Sequence, residues 1–382
     1  MAAFVALAVA MGIGRFALTP LLPMMKDDAG LSVVAGGWLA AANYAGYLAG
    51  AVAAAVVPLS ASRAVRAGLV ATAVTTAAMG LSHRFEVWLV LRALAGVASA
   101  LVMVFASAWI AEVLAHHGRR TLSGPTFAGV GVGIAIAGLV CLVMARAGAA
   151  SATVWLGLAV VSIALGAAAW RPFRATGALS HRDAAAALPL SGADTVRLWL
   201  CYGASGIGYI IPATFLPALA KDALQDPGLF QWAWPVFGAA AAGSTLMIAG
   251  LQRRLGNVGL WMASHCAMAV GVVLPVVSHS FAAIMAASLL VGGTFVVTTM
   301  TALGAAHEIA GPRARTLIAT MTAAFAVGQI AGPVALSLLI AAGGAPDVAW
   351  IAAAALLVAS AALLAPLLPR MQRLRPVMEP GR

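Results

Sequence analysis

The stretch GIGRFALTPLLP, residues 12–23, returns 194 positions later as GIGYIIPATFLP, residues 206–217. Gly12, Ile13 and Gly14 recur as Gly206, Ile207 and Gly208, and Leu22 and Pro23 as Leu216 and Pro217. Outside the stretch, Trp38 recurs as Trp232. One offset serves every pair, so the matches are in register. Two apolar copies of one unit, each about half the chain, describe a membrane protein with an internal repeat. Its binding site is expected where the halves meet.

Composition agrees. Of 382 residues, 63% are hydrophobic and 9% charged, where a soluble domain carries about a quarter charged residues. Such a chain finds its solvent in lipid. Cys141, Cys201 and Cys266 each lie in an apolar run without CxxC or histidine spacing. They read as buried small residues, with no disulfide framework, metal site or cofactor. The first 25 residues lack a basic leader, Arg15 interrupts them, and the copy at residue 206 cannot be a cleaved signal. The chain begins almost inside its first span, which fits either an upstream start or a very short leading tail.

Apolar runs of spanning length fall at about 3–25, 33–57, 64–82, 85–114, 121–146 and 151–170. They resume at about 196–220, 229–251, 258–277, 281–306, 315–342 and 347–368. The expected fold is therefore all-α, with twelve transmembrane helices in two pseudo-symmetric six-helix bundles. The bundles are residues 1–170 and 196–370, joined by a linker at 171–195 and followed by a tail at 371–382. With the N-terminus in the cytoplasm, sixteen of the 22 basic residues fall in cytoplasmic loops and tail. Four, Lys26, Arg84, Arg146 and Lys221, fall outside, and Arg15 and Arg92 fall within spans. That asymmetry places both termini in the cytoplasm. It also explains the net charge of +11 as a topology signal and a contact for anionic membrane lipid, not for nucleic acid.

The segment Leu89 to Gly96, with Arg92 four residues before its glycine, resembles motif B of the major facilitator superfamily. Gly328-Gln329-Ile330-Ala331-Gly332-Pro333 is similar to that superfamily's helix-11 pattern. Residues 12–23, together with Asn43-Tyr44-Ala45-Gly46-Tyr47-Leu48, resemble the YbfB/YjiJ-type branch. The resemblance covers essentially the whole chain and implies a monomeric transporter of the inner (plasma) membrane. It would work by alternating access, with helix 1 lining a central cavity. Motif A departs from the family pattern: Leu59 to Arg66 lacks its aspartate, and the copy at Gln252 to Asn257 is degenerate. Glu112 with Arg119, and Glu308 with Arg315, repeat a seven-residue charge spacing. They read either as gate latches or as helix-end charges meeting headgroups.

Arg15 carries the functional reading. It lies about ten residues from either end of its span, roughly 15 Å of helix rise. A charge at that depth costs about 2.5–3.5 kcal/mol on insertion scales. A guanidinium there suits a carboxylate or phosphate, or else is satisfied by neighbouring helices. All eleven carboxylates fall at helix ends, loops or tail. Two buried cations without a buried acid favour an anionic or zwitterionic small solute over a cationic drug. Two readings stand for Arg92, substrate contact and structural hydrogen bonding. Asn43, Tyr47, Tyr209, Thr298 and Gln329 supply further polar groups at depth, and Tyr209 occupies the repeat position of Arg15. Of the histidines near spans, His307 beside Glu308 offers a gate or proton site, whereas His265 lies on a helix resembling a peripheral support. Gly46/Gly50 and Gly129/Gly133 have GxxxG spacing and predict close helix packing. The dinucleotide-like Gly12-x-Gly14 has no preceding strand and is discounted. An efflux carrier is the second reading and a non-transporting sensor the third. No Ser/His/Asp set, metal spacing or phosphate loop supports an enzyme.

Overall fold

The computed structural model describes residues 1–57, 59–116, 123–174, 192–224, 228–311 and 314–369. Among them the chain is helical, without strands. Its α-helices are α1 (Ala2–Leu7), α2 (Leu18–Asp28), α3 (Val33–Val56), α4 (Ala61–Leu81), α5 (Phe85–His116) and α6 (Ser123–Arg146). They continue as α7 (Ser151–Ala169), α8 (Gly192–Ala223), α9 (Ala233–Val277), α10 (Phe281–Ala310), α11 (Ala314–Ala341) and α12 (Pro346–Leu364). Ten helical segments among the described residues are long and apolar enough to cross a membrane, so this is a multi-pass membrane protein. Most of the expected linker and the whole expected tail lie outside the described residues.

Helix starts follow local chemistry. Ser32 caps α3 through Ala35 N at 3.0 Å, and Ser280 caps α10 through Ala283 N at 3.2 Å. Each supplies an acceptor to an amide that the first turn leaves without one. Two expected boundaries change. The first span is not one α-helix: α1 passes into a π-helical stretch, Ala8–Arg15, before α2 begins. The spans expected at 229–251 and 258–277 merge into α9, with a single break at Gly256 (φ 72°, ψ 174°). That left-handed conformation is open to glycine and strained for other residues, so one residue does the work of the expected loop.

Small residues set the packing. A β-carbon on Gly12 would lie 2.3 Å from the backbone of Gly133, and one on Gly133 would lie 2.1 Å from the Ala8 carbonyl oxygen. The π-helical stretch and α6 therefore touch backbone to backbone, as small residues allow in lipid. The same close approach joins the first half of the sequence to the second, where Gly131 on α6 packs against Gly238 on α9.

Candidate functional site

Backbone irregularity positions Arg15. Phe16 N–H bonds Met11 O at 3.3 Å, the wide spacing of a π turn, and Thr19 N–H bonds Phe16 O at 3.3 Å. Pro20 has no N–H to offer. The Arg15 carbonyl thus loses both of its ordinary partners along the chain, and Arg92 replaces them. Arg92 donates from Nη2 to Arg15 O at 2.6 Å and from Nη1 to Gly14 O at 3.0 Å. Asn43 Nδ2 in turn donates to Arg92 O at 2.9 Å. A chain of three helices thereby fixes the backbone that carries Arg15. π turns of this kind recur at functional sites.

The Arg15 side chain enters a cavity of about 490 Å³. Its guanidinium carbon lies 4.0 Å from the Tyr47 ring centre, 5.2 Å from that of Tyr44 and 5.4 Å from that of Phe16. Arg15 is only 3% exposed, and its Nε and Nη2 have no hydrogen-bond partner among the described residues. Buried polar groups are almost always paired, so these free donors mark the site. The same cavity is lined by a column of rings. Phe295 and Tyr209 are stacked at 5.3 Å, Tyr209 and Phe325 at 5.6 Å, and Phe325 and Tyr202 at 4.5 Å, all within 20° of parallel. The Tyr209 hydroxyl accepts a hydrogen bond from Gln329 Nε2, leaving Gln329 Oε1 buried and unpartnered among the described residues. Among the described residues, no Asp or Glu lines the cavity.

The cavity thus brings together Arg15, Tyr47, Tyr209, Gln329 and His307. Arg92, Asn43 and Thr298 are buried but do not line it. Phe295 and Phe325 were not distinguishable in sequence, because an aromatic residue in an apolar helix reads as ordinary packing. His265 is fully buried away from the cavity, its Nε2 accepting from Trp261 Nε1 at 2.9 Å and meeting Ser205 Oγ at 2.7 Å. Glu308 accepts from Asn257 Nδ2 at 2.7 Å. The latches expected at Glu112/Arg119 and Glu308/Arg315 involve Arg119 and the side chains of Glu112 and Arg315, which lie outside the described residues.

One end of the cavity is closed by contacts that the sequence reading missed. Lys26 Nζ pairs with Asp222 at 2.9 Å, and Lys221 Nζ pairs with Asp27 and donates to Pro23 O at 3.2 Å. Deeper in, Thr19 Oγ1 donates to Ala213 O at 2.7 Å, and the Tyr44 and Thr214 hydroxyls meet at 3.2 Å. The opposite end reaches His307, which is exposed near the end of α10. The two ion pairs are partly solvated, so each stabilises closure by about 0–1 kcal/mol. Neutralising both as Asp27→Asn with Asp222→Asn is expected to shift the closed-to-open ratio by up to about 30-fold. Spin labels at residues 29 and 224 read that shift as a new long-distance population. An unchanged distance distribution would show that the apolar contacts hold the end shut without them.

A family model described as "Uncharacterised MFS-type transporter YbfB" matches residues 7–365. Among solved structures, the crystal structure of a mutant of the nucleoside transporter NupG aligns with a TM-score of 0.70 and 13% sequence identity. That alignment covers 97% of this chain and 98% of the other. At this identity the likeness concerns the fold. No curated protein matches.

Proposed function

The chain belongs to the family of MFS-type transporters that takes its description from YbfB, and on that premise we propose that it carries a small anionic or zwitterionic organic solute by alternating access. The single observation that supports this substrate class is Arg15: among the described residues, a buried guanidinium with two nitrogens lacking a hydrogen-bond partner, in a cavity that no carboxylate lines. A carboxylate or phosphate accepts from both nitrogens at once. Among its described residues the site has no acid to hold a cationic substrate.

The architecture of this reading is twelve spans in two bundles, 1–170 and 196–370, with both termini in the cytoplasm. Val33–Val56 adds one span to the ten counted by length and hydropathy, and dividing α9 at Gly256 adds another. Two contacts support a two-fold relation. Thr19 meets Ala213, and Asp27 meets Lys221, each pair separated by the repeat offset of 194. A residue touches its own repeat equivalent only near the axis that relates the copies. In this topology the closed end faces outward and His307 stands at the cytoplasmic mouth, where a proton-coupled cycle has a titratable group.

The ring column favours a second reading, a neutral planar solute such as a nucleoside, the substrate class for which the similar structure is named. Thermal-shift measurements on detergent-purified protein separate the readings. The compounds are small carboxylates, amino acids, phosphate esters, nucleosides and cationic drugs. A true ligand at a hundredfold excess over its Kd stabilises by about 2.7 kcal/mol. Stabilisation by an anion is the expected result. Stabilisation by nucleosides alone selects the second reading, and by cationic drugs alone an efflux carrier; either overturns the first.

A further inference from the structure

A second cavity, of about 590 Å³, shares no lining residue with the first and lies between α4 and α7. Its rims are Val70, Val74 and Ile163, which are 50%, 59% and 60% exposed on membrane-spanning helices and so face the acyl chains of the bilayer. Its floor is small, made by Ala73, Ser162 and Gly166. The Ser162 hydroxyl is used within its helix, donating to Leu158 O at 2.8 Å, so the floor offers the cavity no free hydroxyl proton. Gly166 differs from the glycines that let helices touch. A β-carbon there would meet only the Leu69 β-carbon, at 3.9 Å. This glycine leaves room where a larger side chain would fill the groove.

The groove ends in positive charge. Trp170 and Arg171 line it, and Arg66 packs against Trp170, with its guanidinium carbon 5.1 Å from the ring centre and Nη2 donating to Trp170 O at 3.3 Å. Arg66 Nε is buried without a hydrogen-bond partner among the described residues. Arg63 lies one turn earlier on α4. Among the described residues, none of Arg63, Arg66 and Arg171 takes part in an ion pair. From Ala77 to Arg66 is about 16 Å of helix rise, half the roughly 30 Å hydrocarbon core and so the depth of one leaflet. An apolar trough of one-leaflet length, open to lipid and headed by uncompensated arginines, has one matching occupant.

We infer that this groove is a specific site for an anionic phospholipid, with an acyl chain along Ala73 and Gly166 and the phosphate at Arg66 and Arg171. The occupant belongs to the leaflet on the side of Arg63 and Arg171. A zwitterionic lipid fills the trough equally well but gains less from the arginines. Each basic residue near a headgroup contributes about a fivefold gain in affinity for an anionic surface.

The test compares phosphatidylglycerol with phosphatidylcholine of the same acyl chains, added to purified protein in detergent and read by thermal shift and by lipid retained in native mass spectrometry. Wild type is expected to retain and be stabilised by phosphatidylglycerol in preference. Arg171→Gln, an exposed change, is expected to reduce that preference about fivefold, and Arg66→Gln with Arg171→Gln further. Gly166→Phe, which fills the trough, is expected to remove retention of both lipids at this site. Equal retention of the two lipids by wild type overturns the proposal. So does an undiminished phosphatidylglycerol preference in Arg171→Gln and Gly166→Phe. Full stabilisation by glycerol phosphate alone also overturns it, showing a site for a free anion.

Discussion

Arg15→Gln is expected to weaken anion binding at least about 30-fold while raising the melting temperature of the ligand-free protein. The two effects have opposite signs because Arg15 Nε and Nη2 stay without hydrogen bonds until an anion arrives, a cost that the Tyr47, Tyr44 and Phe16 rings offset only in part. Buried unpaired donors cost about 1–3 kcal/mol, more when charged, and glutamine removes the charge. Against that, truncating one member of a buried charge pair costs about 2–5 kcal/mol of binding, or roughly 30- to several-thousandfold in Kd. Arg15→Lys keeps the charge and loses the planar fork, so it is expected to fall between the two. The measurement pairs a binding isotherm for the anion found by thermal shift with the ligand-free melting temperature of each variant. A purely structural Arg15 gives the other pattern, in which glutamine lowers the melting temperature and leaves binding by the surviving protein intact. Arg92 provides the contrast. Both of its terminal nitrogens are spent on the Gly14 and Arg15 carbonyls, so Arg92→Gln is a structural lesion.

Much of this site was legible in the sequence because the repeat marks equivalent depths. Arg15 and Tyr209 are 194 residues apart, and both line the cavity. The same arithmetic pairs Asp27 with Lys221, yet that contact went unread. Charges at helix ends look like loop charges, because a contact between helices distant in sequence leaves no local signature. Arg92 was ambiguous for a related reason. Its role depends on carbonyls freed by a π turn and by Pro20, and a hydrogen-bonding defect three helices away leaves no periodic signature. Phe295 and Phe325 were hidden by their surroundings, since apolar spans supply no polar background against which a binding wall stands out. The break in α9 is shorter than the sequence suggests: Gln252 to Asn257 resembles a loop, but only Gly256 departs from helical backbone.

The second large effect concerns a contact with no side chain at all. Gly133→Ala is expected to destabilise the protein severely, because the added β-carbon would sit 2.1 Å from the Ala8 carbonyl oxygen and 2.7 Å from the Ala8 α-carbon. Overpacking usually costs about 1–3 kcal/mol when side chains can move aside. Here the obstacles are backbone atoms, so two helices must separate, and the cost falls at or above the top of that range. Intrinsic propensity pulls the other way by about 0.5–1 kcal/mol, since alanine is the better helix former, and loses. Gly243→Ala isolates that smaller term: it too lies within a helix, but no atom lies within 4 Å of its would-be β-carbon. It is expected to be neutral or stabilising. The check is the melting temperature and monodisperse yield of both variants in one detergent. Equal melting temperatures would show that α6 and the π-helical stretch separate at no cost. Because that stretch also carries Arg15, a Gly133→Ala protein that still folds is expected to bind anion more weakly, although residue 133 does not line the cavity. Close packing at Gly133 and the proposed anion binding at Arg15 are then one constraint, because both rest on the same π-helical stretch.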